Sequence, residues 1–246
     1  MDLDKTPSSN AQIPRLHWYE PNVRAMLASY ITGVGPQDVQ EILASLDLPR
    51  TRHWRRGYNR LTTRLSRHIR EANVESMKQA MVCEIEATIR GESKLTTEKE
   101  KDEEVKLWFR IPTHLRPKIG ISISYDMGWQ KRTIHRMSST YSSLSGHGFA
   151  IGLRTKKVVS MIVYSKICQT CQIAKASDKN IPTHDCPCNY EGSSKSMESD
   201  GALTMLKRCY KEHSVHFKHI VSDDDSTMRS LLKHANNGGD LPSCIL

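Results

Sequence analysis

The spacing of apolar residues predicts three helices in the first 90 residues. The first begins near Tyr19, and its apolar positions are Val23, Met26, Leu27 and Tyr30. The second follows a glycine and proline break at 33–36, and its apolar positions are Val39, Ile42, Leu43 and Leu46. The third runs from about 53 to 89, with Leu61, Leu65, Ile69 and Val74 facing inward. Residues 16–90 are therefore predicted to form a helical domain, and the polar residues 1–15 a disordered lead.

The third predicted helix is rich in arginine on its outward side. These residues are Arg55, Arg56, Arg60, Arg64, Arg67 and Arg70. A helix, a short proline turn and a basic helix form the outline of a helix-turn-helix DNA-binding domain. The alternative is a plain helical bundle with solvated arginines. The density of arginine favours phosphate contacts, with Arg55, Arg56 and Arg60 as the candidate DNA-binding residues.

The pattern changes to strands after a stretch of mixed charge at 91–117, which is predicted to be a linker ending at two prolines. Strands are predicted at 119–126, 149–153, 158–164 and 217–221, where β-branched and apolar residues are concentrated. Helices are predicted from 194 to about 213 and from 226 onward. The order β-β-β-α-β-α predicts a mixed α and β domain over 118–246, of the α+β or α/β class.

Two acidic residues follow strands in this order. Asp126 ends the first predicted strand and Asp223 follows the fourth, which is the layout of a ribonuclease H-like fold. Two strands that each deliver a carboxylate suit Mg²⁺ or Mn²⁺, since such ions bind through one or two carboxylates plus substrate phosphate oxygens. Asp225 is the second choice in the acidic triplet and could instead cap the next helix.

A third candidate acid is Glu198, which is predicted to lie in the first turn of the helix starting at 194, with Ser193 or Ser194 as its N-cap. There it either faces the metal between the two aspartates or interacts only with the helix dipole. Lys131 and Arg132, just past Asp126, are candidates for holding a DNA phosphate, with Trp129 as a stacking face. Their alternative is two solvated residues at a hairpin turn.

A cysteine and histidine cluster lies in a polar loop at 166–190. Our choice of ligands is Cys168, Cys171, His184 and Cys186, with Cys188 as the alternative fourth ligand. Such a set suits tetrahedral Zn²⁺, and a closed site of four protein ligands is structural rather than catalytic. The alternative is a reduced cysteine loop without metal.

Composition narrows the class of protein. The chain has 246 residues, and 37% of them are apolar, which is enough for a hydrophobic core. A formal net charge of +9 favours a polyanionic partner such as nucleic acid. The sequence has neither a membrane-spanning run nor a signal sequence, so we expect an intracellular protein with reduced cysteines.

Taken together, the motifs resemble the Mutator-like transposase domain, a DDE-type, ribonuclease H-like enzyme. The resemblance covers roughly residue 18 to the C-terminus. Its motifs are 19–22, 48–49, 75–77, 126–132, the Cys/His pairs, 189–194 with 197–198, and 222–226. It implies that Asp126 and Asp223 bind divalent metals that activate water or a DNA 3′ hydroxyl. It also implies DNA at element terminal repeats as the partner and a nuclear location, and it leaves room for a homo-oligomer.

The chain departs from the family pattern in three ways. Met127 occupies a position that is usually small or polar, and the acidic triplet replaces a common Asp-Gly-Asp. Family members also place a final glutamate on a helix well beyond the second aspartate, whereas only about twenty residues follow Asp225. We therefore expect a truncated and inactive transposase. The alternative is a non-catalytic remnant that binds DNA or protein.

Overall fold

The computed structural model describes residues 12–13, 18–32, 34–45, 47, 54–129, 143–223 and 230. It divides into two compact units, Met1–Glu75 and Ser76–Leu246. The predicted domain limits at 15, 90 and 117 stay predictions. None of the helices in the described ranges is long and apolar enough to cross a membrane.

The first unit is mainly helical. A short antiparallel pair, β1 (Gln12–Ile13) and β2 (Trp18–Tyr19), precedes α1 (Glu20–Thr32) and α2 (Pro36–Ser45). The third helix, α3 (Trp54–Glu92), begins in this unit. These are the three predicted helices. The buried core of the unit consists of Val23, Met26, Tyr58, Leu61 and Leu65.

Two residues predicted to lie on apolar helix faces are exposed. Ile42 in α2 is 53% exposed, and Val74 in α3 is 43% exposed. The core of this unit includes Leu65 and, at its margin, Ile69, so Val74 lies more than a turn beyond the residues that α1 covers. The side chains of Tyr30, Leu43 and Leu46 lie outside the described residues.

A helix, α4 (Glu98–Arg110), occupies much of the segment that was predicted to be a linker. It begins with a capping box between Thr97 and Glu100, in which each side chain accepts a hydrogen bond from the other residue's backbone N–H. Val105 and Trp108 are buried in the core of the second unit. The segment is therefore a packed element over 98–110.

The second unit is built on a four-stranded mixed sheet. Its strands are β3 (Ile119–Trp129), β4 (Ser145–Gly152), β5 (Val158–Ser165) and β6 (Val215–Val221), and its further helices are α5 (Gln169–Ala176) and α6 (Ser194–His213). The sheet order is β5-β4-β3-β6. The pairs β3/β4 and β4/β5 are antiparallel, and β3/β6 is parallel. The four predicted strands are confirmed, α5 was not predicted, and the helix predicted from 226 lies outside the described residues.

Alternation along β3 separates the two faces of the sheet. Ile121, Ile123 and Tyr125 point into the core, where Met205 and Leu206 of α6 also lie. Between them lie Ser122 and Ser124, which are only half-buried and face the other side. This alternation places Asp126 on the second face, away from α6.

The parallel pair of β3 and β6 contains an irregularity. Ile121 pairs with Phe217, but the next residue, Ser122, pairs with His219, so Lys218 is an extra residue in β6. Beyond this bulge the ladder continues regularly to its last pair, Ser124 with Val221.

Candidate acidic site and Cys/His centre

Asp126 is an exposed residue near the carboxyl end of β3. Its Oδ1 accepts a hydrogen bond of 2.8 Å from the backbone N–H of Met127. This contact fixes one carboxylate oxygen and leaves the side chain on the exposed face of the sheet.

Asp223 is related to Asp126 by strand register. Each aspartate lies two residues past the last pair of β3 and β6, which is Ser124 with Val221. Asp126 is still within β3 and Asp223 lies two residues beyond the end of β6, so the register places both residues at the same edge of the sheet. Asp223 is exposed, as Asp126 is. The carboxyl ends of adjacent parallel strands are where ligands of mixed and parallel sheets commonly bind.

Glu198 lies on α6, whose start is fixed by capping. Ser193 is the N-cap, and its hydroxyl accepts a hydrogen bond of 3.1 Å from the backbone N–H of Ser196. Because α6 begins at Ser194, Glu198 is its fifth residue and lies just past the first turn, not within it as predicted. A role as a pure dipole partner is weakened accordingly, since that effect fades beyond the first turn.

Tyr125 joins the strand of Asp126 to the helix of Glu198. Its hydroxyl donates a hydrogen bond of 2.8 Å to the carbonyl oxygen of Glu198. Burial raises the pKa of Tyr125, and the negative charge of Glu198 raises it further. The phenol therefore stays protonated and acts as a donor at physiological pH.

Four metal-ligating side chains come together beside the sheet. The ligand atoms of Cys168, Cys171, His184 and Cys186 all lie within 4.8 Å of one another. Nε2 of His184 is 3.1 Å from the Cys168 sulfur and 3.5 Å from the Cys171 sulfur, and the sulfurs of Cys171 and Cys186 are 3.7 Å apart. A tetrahedral Zn²⁺ site with Zn–S bonds of about 2.3 Å has S–S edges of about 3.8 Å. The cluster can therefore hold a metal ion of this kind, and the alternative ligand Cys188 is exposed and outside it.

Hydrogen bonds in the cluster orient His184 and shift the pKa values of its members. His184 places Nδ1 2.7 Å from the carbonyl oxygen of Pro182, which turns Nε2 toward the sulfurs. The hydrogen bond to Pro182, followed by that to Cys168, raises the pKa of His184 to about 9. A backbone hydrogen bond from Cys171 lowers the pKa of Cys168 to about 6, so its thiolate is favoured.

Two residues that hold this region together were not foreseen. Asn189 bonds to β5 through its side chain, donating to the Val163 carbonyl at 2.9 Å and accepting from the Ser165 N–H at 2.8 Å. Tyr190 donates to the Ser196 hydroxyl at 2.8 Å and also contacts the Asp200 carboxylate. Residues 189–194 were among the motifs that resemble the family, but nothing in the sequence indicated that Asn189 would bind β5 or that Tyr190 would contact α6.

The predicted DNA-binding residues are partly described. Arg56 and Arg60 are exposed on α3. The side chain of Arg55 lies outside the described residues, as do Lys131, Arg132 and Asp225.

One family model, described as Mutator-like transposase, matches residues 8–241, which is nearly the whole chain. The chain belongs to the Mutator-like transposase family. The matched region contains Asp126, Glu198, Asp223 and the Cys/His cluster, and membership supports a function related to transposition with DNA as the partner. Neither the curated proteins nor the solved structures yield a match to this Mutator-like chain.

Proposed function

We propose that this Mutator-like chain cleaves and joins DNA phosphodiesters at element ends, using Mg²⁺ or Mn²⁺ held by Asp126, Asp223 and Glu198, with Glu198 in place of the final glutamate on which the expected inactivity rests. The observation that carries the proposal is the register of β3 and β6. Both aspartates follow the ladder by the same two residues and are exposed. Two such carboxylates on one edge of a rigid sheet offer the ligands that divalent ions take in phosphoryl-transfer sites.

The residues of the chain have distinct parts in this proposal. Divalent ions held by these carboxylates would supply activation of the attacking oxygen and stabilisation of the leaving oxygen of the phosphodiester. Asp126 and Asp223 supply ligands from the sheet, and their exposure leaves room for a DNA backbone. Glu198 is proposed to supply the third carboxylate by reaching past the carboxyl end of β3, since α6 packs on the other face of the sheet from Asp126, and Tyr125 holds its backbone.

The topology supports a ribonuclease H-like arrangement for 118–246. The order along the chain includes three antiparallel strands, a helix, and a fourth strand that returns parallel to the first. This return places the ends of β3 and β6 side by side, which the proposed two-metal site requires. The helical residues 16–90 would form a separate DNA-binding part.

The Cys/His cluster is proposed to be a structural zinc site. The sulfur and nitrogen distances fit a tetrahedral ion, and all four positions are filled by protein. A closed set of this kind leaves no position for substrate. Zinc here would stabilise the loop between β5 and α6.

DNA contacts are proposed for two groups of basic residues. Arg56 and Arg60 are exposed on α3, and the chain carries a net charge of +9. Arg55, Lys131 and Arg132 complete the proposed set. Element terminal repeats are the proposed DNA, the nucleus the proposed location, and assembly into a homo-oligomer is compatible with this function.

The test is metal-dependent nicking of a labelled duplex by the purified chain. We expect nicking with Mg²⁺ or Mn²⁺ that is lost in Asp126→Asn, Asp223→Asn and Glu198→Gln. Glu212→Gln is the matched control for Glu198→Gln, since it makes the same change at the exposed end of the same helix. DNA binding without any nicking would reject catalysis and leave a DNA-binding protein. Nicking that survives Asp126→Asn would reject the proposed site.

A further inference from the structure

We propose that metal binding at the Cys/His cluster positions Glu198, so that occupancy of this cluster controls divalent-ion binding at the acidic site. Asn189 is the positioning residue that carries the effect from the cluster to α6. This inference rests on the proposed function for the identity of the acidic site. The structural part of the inference, that the cluster orders the start of α6, does not depend on the proposed function.

The ligands lie at the two ends of the connection between β5 and α6. Cys168 follows the end of β5 at Ser165 by three residues, and Cys186 precedes the start of α6 at Ser194 by eight. A metal bound by both therefore joins the end of the sheet's edge strand to the segment that leads into α6.

Burial and regular secondary structure contribute little to ordering the segment between α5 and α6. Between 177 and 192 it contains no helix or strand, and nearly all of its residues are exposed. The exceptions are His184 and Tyr190, which are half-buried. A polar loop of this kind gains little from burial, so metal–ligand bonds are the main compensation for the entropy lost on ordering it.

Asn189 hydrogen-bonds the same segment to β5. Besides its two side-chain bonds to Val163 and Ser165, its backbone N–H donates to the Ser165 carbonyl at 2.9 Å. These bonds complete the exposed edge of β5 over its last residues. Because these bonds are exposed to water, they hold the segment only weakly by themselves and depend on its being ordered by the cluster.

Tyr190 connects the same segment to α6 through side-chain contacts. It contacts Ser196 and Asp200, which lie on either side of Glu198 along the helix. Its ring also packs against Tyr164 of β5, with ring centres 4.6 Å apart. A loosened connection would thus remove the Tyr190 contacts on either side of Glu198 and loosen the start of α6, while Met197 stays buried in the core.

The test compares zinc-loaded protein with protein stripped by a zinc-selective chelator and with stripped protein after zinc is restored. Mn²⁺ binding at the acidic site is followed by loss of the free Mn²⁺ spin-resonance signal, and Asp126→Asn identifies the part due to that site. Amide hydrogen exchange over 194–202 reports the order of α6 directly. We expect stripping to weaken Mn²⁺ binding by about tenfold, the size typical of losing an outer-shell contact. We also expect faster exchange over 194–202, with both effects reversed by zinc.

Asn189→Ala should reproduce both effects in zinc-loaded protein. Asn180→Ala is its matched control, because it makes the same change at an exposed position of the same loop. Unchanged exchange and unchanged Mn²⁺ affinity on stripping would overturn the inference while leaving the acidic site intact. Zinc-loaded protein that binds no Mn²⁺ through Asp126 would instead reject the proposed function, and exchange over 194–202 would still decide whether the cluster orders α6.

Discussion

The hydroxyl of Tyr125 donates to the carbonyl oxygen of Glu198 across 73 residues of sequence. Tyr125 is 1% exposed and directly precedes Asp126. One hydrogen bond therefore connects the strand that carries one candidate metal ligand with the helix that carries another. Since Tyr125 keeps its proton, the bond persists over the pH range in which a transposase would act.

Replacing Tyr125 by phenylalanine should test this connection. Tyr125→Phe removes one buried hydrogen bond and should lower the free energy of unfolding by about 1 kcal/mol. It should also weaken Mn²⁺ binding at the acidic site, because the backbone of Glu198 loses this hydrogen bond to β3. Chemical denaturation and Mn²⁺ titration measure the two effects. Tyr164→Phe is the control, since its hydroxyl also pairs with α6, through Thr204 at 3.1 Å, but at an exposed position. Equal effects of the two substitutions would argue against a special role for Tyr125.

The fit of α6 against Tyr125 depends on Gly201. A Cβ at this position would lie 2.8 Å from the Tyr125 hydroxyl oxygen. Gly201→Ala should therefore destabilise the protein by roughly 1–3 kcal/mol, although alanine favours a helix over glycine by about 1 kcal/mol. In a Tyr125→Phe background the cost should shrink, because the clashing oxygen is gone. Unfolding free energies of the two single variants and the double variant measure the coupling, and additive losses would contradict the expectation.

Glu84 is a fully buried carboxylate that holds the turn between β4 and β5. It accepts hydrogen bonds from the backbone N–H groups of Arg154 and Thr155, at 3.1 and 2.9 Å, and from the Thr155 hydroxyl at 2.6 Å. Glu84→Ala leaves these donors without their acceptor and should cost about 3 kcal/mol or more. Glu86→Ala, on the same helix and only half-buried, should change stability by less than about 0.5 kcal/mol. Thermal and denaturant unfolding measure the two stability changes. A small loss of stability in Glu84→Ala would mean that water accepts the hydrogen bonds that the carboxylate accepts in the wild type.

Arginine neutralisation on α3 should reduce the salt dependence of DNA binding. Arg56→Gln with Arg60→Gln should weaken binding uniformly across sequences and lower the slope of log K against log salt by up to about 2. Arg67→Gln is the comparison, because its guanidinium is already paired with Glu71 at 3.0 Å. Fluorescence anisotropy at several salt concentrations measures the slopes. A double variant with the wild-type slope would place the DNA elsewhere.

Stability should fall as the pH drops below neutrality, in part through His216. Burial lowers the pKa of His216, and nearby Lys218 lowers it further, whereas Glu92 opposes the shift. The folded pKa thus lies below the unfolded value of about 6.5, so protons bind the unfolded chain more readily. This stability is present above that pH and is lost as the pH falls through the folded pKa. His216→Gln should flatten the pH dependence of the unfolding free energy between pH 7 and 5. His114→Gln, at an exposed position, should leave it as in the wild type.

The strands and α6 were predictable because their sequences agree with their surroundings. The β-branched residues of β5 and the alternation of β3 fit a half-buried sheet, and Ser193 supplies an N-cap for α6. The Cys/His cluster was likewise visible from spacing alone. Each of these signals is local, so a single stretch of sequence is sufficient to detect it.

The elements that were missed depend on packing at a distance. In α4 only Val105 and Trp108 are buried, and Leu107 is 61% exposed, so the helix shows little apolar periodicity. The eight residues of α5 overlap the Cys168 to Cys171 pair, which indicated a loop. The contact between Tyr125 and Glu198 joins residues 73 apart, and only the fold brings them together.

The bulge at Lys218 determines which residue after β6 lies level with Asp126. Had β6 kept the register of Ile121 with Phe217, the residue level with Asp126 would be Ser222. The extra residue advances β6 by one position and brings a carboxylate to that level instead. A slip of β6 that removed the bulge while keeping the sequence would therefore exchange a carboxylate for a hydroxyl without touching either aspartate.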